Sequence, residues 1–276
     1  VNGQQAVEEC LLRGVGPPAP GRSAPDHTQK RRTMWKFCLH SLFREYGWQF
    51  FGRIALPHPV KTAKAVVASG ALDYAGGQTE VGTEGSARPF GGARSIVGVG
   101  FCLKPLDPPC PSGRFNHDCQ YLETLPHSET ADLPAACRSC AIREIGTLSL
   151  RAGAAVYVMT SAKDILLDVF APALDERRFT AGIFALCRYS LRPFAVGLLA
   201  GGVRGWMFPF EKGDCRDYKT WIQADRGTKE ERTEINPPNR SAIREQLRAA
   251  AQEPTPAAGF EKRGHVLYPR AADGTR

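Results

Sequence analysis

The chain has 276 residues, 42 % hydrophobic and 23 % charged, with a formal net charge of +8. That is enough for one large domain or two small ones with a core that needs no staples. There is no run of eighteen apolar residues to cross a membrane. The basic residues are scattered, with Lys30-Arg31-Arg32 the only run of three, so no stripe for nucleic acid is composed.

Residues 1–33 are rich in Pro, Gly and charge and have no apolar signal-peptide stretch. They are expected to be a disordered leader, with Met34 a candidate true start. A cytoplasmic location is the expectation, where thiols stay reduced. Residues 34–94 are expected to be helical and then Gly-rich. Trp35, Leu39, Leu42, Phe43, Tyr46 and Phe50 recur at helical spacing over Met34–Ile54, a second helix covers Lys61–Tyr74, and 76–92 is a loop.

Residues 95–235 are predicted to form an α/β domain. Ser95–Phe101 reads as a buried strand that delivers Cys102 at its end. Leu103–Ala136 carries six prolines and is predicted as a Cys- and Pro-rich loop module. A helix over Cys140–Arg151, stopped at Gly153, leads to a strand at Ala154–Met159 and a helix at Ala162–Leu174 capped by Thr160 or Ser161. Phe179–Leu186 is predicted helical, Phe194–Leu199 either helix or strand, Val203–Phe208 a strand and Tyr218–Asp225 a helix. A polar helix at Asn239–Gln252 and a loop-like tail complete residues 236–276. The fold class expected is thus α/β, a small parallel or mixed sheet with flanking helices.

The chemistry is concentrated in the nine cysteines, an odd number that excludes full intrachain pairing. Cys137-Arg-Ser-Cys140 opens a helix, where the dipole favours thiolate, and its spacing suits zinc, an iron–sulfur cluster or a redox dithiol. The plain alternative is two small buried side chains. Cys102, Cys110 and Cys119 lie in the Pro-rich loop, where a loop that buries little would give them no core to hide in, and His117 adds a nitrogen. Cys187 and Cys215 each follow an apolar segment. One partition takes Cys137, Cys140, Cys187 and Cys215 as a four-sulfur set and Cys102, Cys110 and Cys119 as another. The competing one groups four of the five cysteines in 102–140. Cys10 and Cys38 are read as unrelated.

Other features carry less. Thr160, Ser161 and Lys163, at a strand end running into a helix, could hold a small anion; the alternative is an ordinary N-cap. Asp214, Asp217 and Asp225 could act as acids or metal carboxylates, or form a solvated face. No Ser-His-Asp signature, P-loop or HExxH is present.

The CxxC at a helix start, the strand Gly153-Ala-Ala-Val-Tyr-Val158, a following helix and Cys187 after the next apolar segment together resemble uncharacterised bacterial and archaeal cysteine-cluster proteins thought to carry iron–sulfur centres. The resemblance spans residues 100–220 and implies a bound iron–sulfur cluster with no defined reaction. The functional expectation is an iron–sulfur protein, with zinc as second choice, acting in electron transfer or as a cluster-bearing enzyme or accessory subunit, with a redox partner protein or a small anionic ligand as its partner. The alternatives are a zinc-stabilised binding module without catalysis and a metal-free thiol redox enzyme using Cys137 and Cys140.

Overall fold

A computed structural model describes residues 46–82, 90–125, 133–251 and 259–270. The expectations for the leader, Met34, Cys10 and Cys38 lie outside these residues. So does the first part of the Met34–Ile54 helix, of which the described end is helix α1 (Tyr46–Phe50) continuing as a π-turn over Phe51–Ala55.

Next come α2 (Pro59–Ala71), β1 (Thr79–Val81) and β2 (Ser95–Gly100). A 3₁₀ turn at Phe101–Leu103 leads to α3 (Gln120–Glu123), α4 (Ala135–Arg138) and α5 (Ala141–Arg151). β3 (Ala155–Met159) is followed by α6 (Ala162–Ile165), a π-turn at Leu166–Phe170 and α7 (Ala171–Glu176). Then follow β4 (Ala181–Leu186), α8 (Leu191–Gly201), β5 (Arg204–Pro209), α9 (Tyr218–Asp225) and α10 (Pro237–Ala250). A hairpin of β6 (Phe260–Arg263) and β7 (Val266–Pro269) is the last described structure.

The seven strands form one mixed sheet in the order β1-β5-β4-β2-β3-β7-β6. The four inner strands β5, β4, β2 and β3 run parallel, with Val97 opposite both Val156 and Ile183. β1, β7 and β6 pair antiparallel at the margins. β2, β3 and β4 are buried along their whole length, as a parallel sheet covered on both faces requires. Alternation sends Val97, Val99, Val156 and Ile183 to one face, against Ile142 and Ile145 of α5 and Ile243 and Leu247 of α10. Ile96, Tyr157, Phe184 and Met207 go to the other, against Phe194 and Leu198 of α8 and Ala65 of α2. Gly202, at φ +66°, ends α8 in the left-handed region while Val203 N–H returns to Leu198 O at 2.9 Å.

Three expectations are corrected. Residues 179–186 are not helical but supply β4: a short apolar run is ambiguous by period, and Gly182 disfavours helix. The tail is not loop throughout. Gly264-His265 makes a two-residue turn, with Gly264 at φ +59°, that pairs β6 with β7. The segment after β2 is also not without a core, because Cys102 and Cys119 are only 6 % and 9 % exposed and pack within the main apolar cluster. Among the described residues no helix is long and apolar enough to cross a membrane.

Candidate functional site

The strand order fixes where a site can form. β2 lies between β3 and β4, so the chain leaving β2 and the chain leaving β4 head for opposite faces of the sheet. A crevice opens beyond the carboxyl ends of such strands. Cys102 sits in the turn that ends β2, Cys187 directly follows β4, and Cys215 follows β5 after Phe210. Cys102 and Cys187 wall a crevice of about 670 Å³, open solvent at its mouth included, whose other surfaces are mainly aromatic and aliphatic.

Cys187 donates its S–H to Cys215, which holds the Cys215 thiol below the usual cysteine range and lifts Cys187 well above it. Lys229 assists: its Nζ lies 3.6 Å from Cys215 Sγ and also donates to Gly213 O, although the residue is only 4 % exposed. Burial pushes the Cys102 thiol up to about 12, against the opposing pull of Lys229 and Arg114. Ser190 Oγ is 3.1 Å from Cys187 Sγ and accepts the Trp221 indole N–H at 3.0 Å.

Asp214 stands beside this group with a side chain 7 % exposed. Burial raises its pKa from 3.8 to about 6, against the backbone N–H of Arg188, which donates to Oδ1 at 3.0 Å, and the charges of Arg188 and Lys229. A carboxyl raised on folding contributes stability that is full below its unfolded pKa and is lost as pH rises through 6. Asp214→Asn, which keeps the acceptor oxygen, is therefore expected to gain on the wild type by on the order of 2–3 kcal/mol between pH 4 and 7. Urea unfolding of both proteins across that range checks it; a pH-independent difference would remove Asp214 as the cause.

Three of the remaining four described cysteines, Cys110, Cys119 and Cys140, gather around a different lysine, Lys104. Cys110 opens a tight turn, with Gly113 N–H returning to its carbonyl at 3.0 Å and Gly113 at φ +75°. Cys119 caps α3, and Glu123 Oε1 accepts its backbone N–H at 3.2 Å. Cys137 and Cys140 form the turn before α5, Cys140 N–H donating to Cys137 O at 3.3 Å. Lys104, 1 % exposed, donates to the carbonyl of Asn116 at 3.1 Å and to its side-chain oxygen. Burial lowers its pKa, while Cys110, Cys119, Asp118 and Cys140 favour the charged form. Cys119 is pushed up to about 12 by burial, with Cys140 and Cys110 adding. Burial, Cys140 and Cys110 raise Cys137 in the same way.

Lys229 thus acts on Cys102 and Cys215, with Cys187 bonded to Cys215, while Cys110, Cys119 and Cys140 act on Lys104, with Cys137 beside Cys140 and Cys110. Cys187 and Cys215 meet, and the cysteines that act on Cys137 are Cys140 and Cys110. Neither lysine stood out in the sequence. Lys104 lies two residues after Cys102, but Lys229 sits in a charged run fourteen residues from Cys215, with no local signal.

His117 is elsewhere. Its Nδ1 is 2.8 Å from Val158 O, a carbonyl just past the point where β7 stops pairing, and its Nε2 is 3.1 Å from Thr160 Oγ1. Its ring stacks on His265 at 4.0 Å, and His265 Nδ1 and the Tyr157 hydroxyl both reach Asp168 Oδ2 at 2.9 Å. Ligand-type atoms of His117, Asp168 and His265 lie within 4.8 Å of one another. Both nitrogens of His117 already have protein partners, Val158 and Thr160, and its contact with the hairpin is the ring stack on His265.

The expected anion site at Thr160, Ser161 and Lys163 has its donors engaged. The Thr160 and Ser161 hydroxyls donate to Asp164 Oδ2 at 2.6 and 2.8 Å, and Ala162 N–H donates to Asp225 Oδ1 at 2.6 Å. Two carboxylates of the protein thus stand where an anion would, and Lys163 is exposed.

The cysteine groups suit a metal centre in their donor chemistry: soft sulfurs, mostly buried, with a buried lysine beside each group. Among the described residues no three cysteine sulfurs come within 4.8 Å of one another. A tetrahedral zinc holds its sulfurs about 3.8 Å apart, from Zn–S bonds of about 2.3 Å. The spacing is wider than one such ion needs. No protein-family model, curated protein or solved structure matches the chain.

Proposed function

We propose that this is an iron–sulfur protein with an electron-transfer or other redox role, carrying two centres. Cys110, Cys119, Cys137 and Cys140 would hold one, and Cys102, Cys187 and Cys215 the other. The observation that supports it is the pairing of each sulfur group with one nearly inaccessible ammonium, Lys104 and Lys229. A buried cation is costly unless an anion shares its surroundings, and thiolates bound to a metal centre keep their negative charge permanently. A cluster of this kind, when bound, supplies one-electron chemistry. Cys110 is the half-buried member of its set and gives a redox partner protein the nearest approach. A reducing compartment belongs to the same reading.

Zinc is the second reading, favoured by the tight Cys137–Cys140 turn, which resembles a zinc knuckle in spacing. Anaerobic purification with elemental analysis separates the two. The expected result is a brown protein, with Cys119→Ser and Cys187→Ser each losing one portion of the iron and the double variant losing all. Colourless protein with stoichiometric zinc would replace the first reading with the second. Loss of all metal from either single variant would overturn the two-centre assignment.

A further inference from the structure

The large apolar side chains that the fold leaves in solvent are concentrated in one short stretch. Of the eight such residues among those described, six lie between positions 48 and 67: Trp48, Phe51, Leu56, Val60, Val66 and Val67. Trp48 and Val67 are the extremes, 75 % and 77 % exposed. Local geometry links them. The Trp48 and Phe51 rings stack at 6.1 Å. Leu56 follows Phe51 by one π-turn, its N–H donating to Phe51 O at 2.7 Å. On α2, Val60, Lys64 and Val67 are four and three residues apart, so they share the face opposite Ala65 and Ser69, the residues that α2 buries. The inner side of α2 is thus used on the core, and its outer side is apolar with nothing of the fold to cover it. A surface of this kind marks a site of interaction.

Charge says what the surface meets. Residues 46–72 hold three cations, Arg53, Lys61 and Lys64, all exposed, and no aspartate or glutamate. A second copy of the chain, docked face to face, would set three cations against three. An anionic bilayer surface suits both features at once. Apolar side chains enter the acyl boundary, while ammonium and guanidinium groups stay among the lipid phosphates. Trp48 fits that boundary, with an apolar ring and an N–H for the wet side. The 13 residues of α2 fall short of the roughly 20 that a span needs, so the helix has to lie in the plane of the surface.

We propose that residues 48–67 dock the protein on an anionic phospholipid bilayer, with Trp48, Phe51, Val60 and Val67 entering the headgroup boundary and Arg53, Lys61 and Lys64 meeting the phosphates. This docking is independent of what the cysteines bind.

The test is co-sedimentation of the full chain with vesicles of phosphatidylcholine alone, or of phosphatidylcholine mixed equally with phosphatidylglycerol. The expected result is binding to the mixed vesicles, weakened by salt, and little binding to phosphatidylcholine alone. Lys61→Gln together with Lys64→Gln lowers the affinity for mixed vesicles by about thirtyfold. Trp48→Ser and Val67→Gln each lower it by about tenfold. Leu106→Ser, at an exposed apolar position outside the stretch, leaves it unchanged. All these side chains are exposed, so each variant keeps the wild-type melting temperature and lost binding is not lost folding. No binding to the mixed vesicles, equal binding to both compositions, or binding that the glutamine pair and Trp48→Ser leave intact would overturn the proposal. So would a lipid-free dimer that Val67→Gln dissociates, because a second copy then covers the face. Retention on polyglutamate without binding to vesicles would overturn it as well, and would give the face to an acidic protein.

Discussion

Gly205→Ala is expected to destabilise the protein by roughly 3–5 kcal/mol, from backbone strain and overpacking together. Gly205 lies in β5 opposite Gly182 of β4, with φ +148°, a conformation that L residues rarely adopt. A Cβ built there would come 1.7 Å from the Gly182 carbonyl oxygen, which is backbone and cannot rotate away. The strands would have to separate, and they are the two that deliver Cys187 and Cys215. A drop in melting temperature of about 10 °C is expected, together with faster alkylation of both thiols in the folded protein. Gly202→Ala is the control. It also has positive φ, but nothing lies within 4 Å of its Cβ, so its cost stays near 1 kcal/mol. If Gly205→Ala costs no more than Gly202→Ala, the close approach of β4 and β5 is not as described.

Lys104→Met is expected to move stability in opposite directions with and without bound metal. In the metal-free protein the change removes a buried ammonium whose charge burial already disfavours. Asn116 Oδ1 keeps the Asp118 N–H at 3.0 Å, so only the Asn116 carbonyl loses a partner. Replacing a buried charge by an apolar chain of similar size is often neutral or stabilising by about 1–2 kcal/mol. Under the proposed function the same ammonium would offset the charge of a centre held by Cys110, Cys119, Cys137 and Cys140. Its removal is expected to lower the midpoint potential by tens of millivolts, about 59 mV for each tenfold change in the relative affinity for the electron, and to speed loss of iron to a chelator. Urea melts of apo and loaded protein, with a redox titration, read both effects. The same sign in both states would mean that Lys104 serves the loop alone.

The sheet was legible where residues speak for themselves. Ile96, Val97 and Val99, or Val156 to Met159, are β-branched or apolar runs bounded by turns, and such runs are strands in most settings. Residues 179–186 were not legible, because the same apolar run suits a buried helix and only its neighbours β2 and β5 decide. The hairpin of β6 and β7 is written in Gly264 alone, amid the charged Glu261-Lys262-Arg263. The candidate site shows the same division. The cysteines stood out in their number and positions. How they group was not, since Cys102 and Cys187 are brought together by a parallel pairing across 85 residues that no spacing rule encodes. The buried lysines were hidden for a related reason: a lysine's burial depends on what the fold places around its stem.

The C-terminal hairpin also imposes an order of events. Its strand β7 completes the pairing of β3, His265 stacks on His117, and Lys262 forms ion pairs with Asp118 and Glu123 on either side of Cys119. Every one of these ties reaches back to a residue synthesised long before. Until residues 260–269 leave the ribosome and dock, the Cys119 segment lacks these ties. Closure over it comes after all seven described cysteines have been made, so this side of the segment stays uncovered until the last described strand is in place.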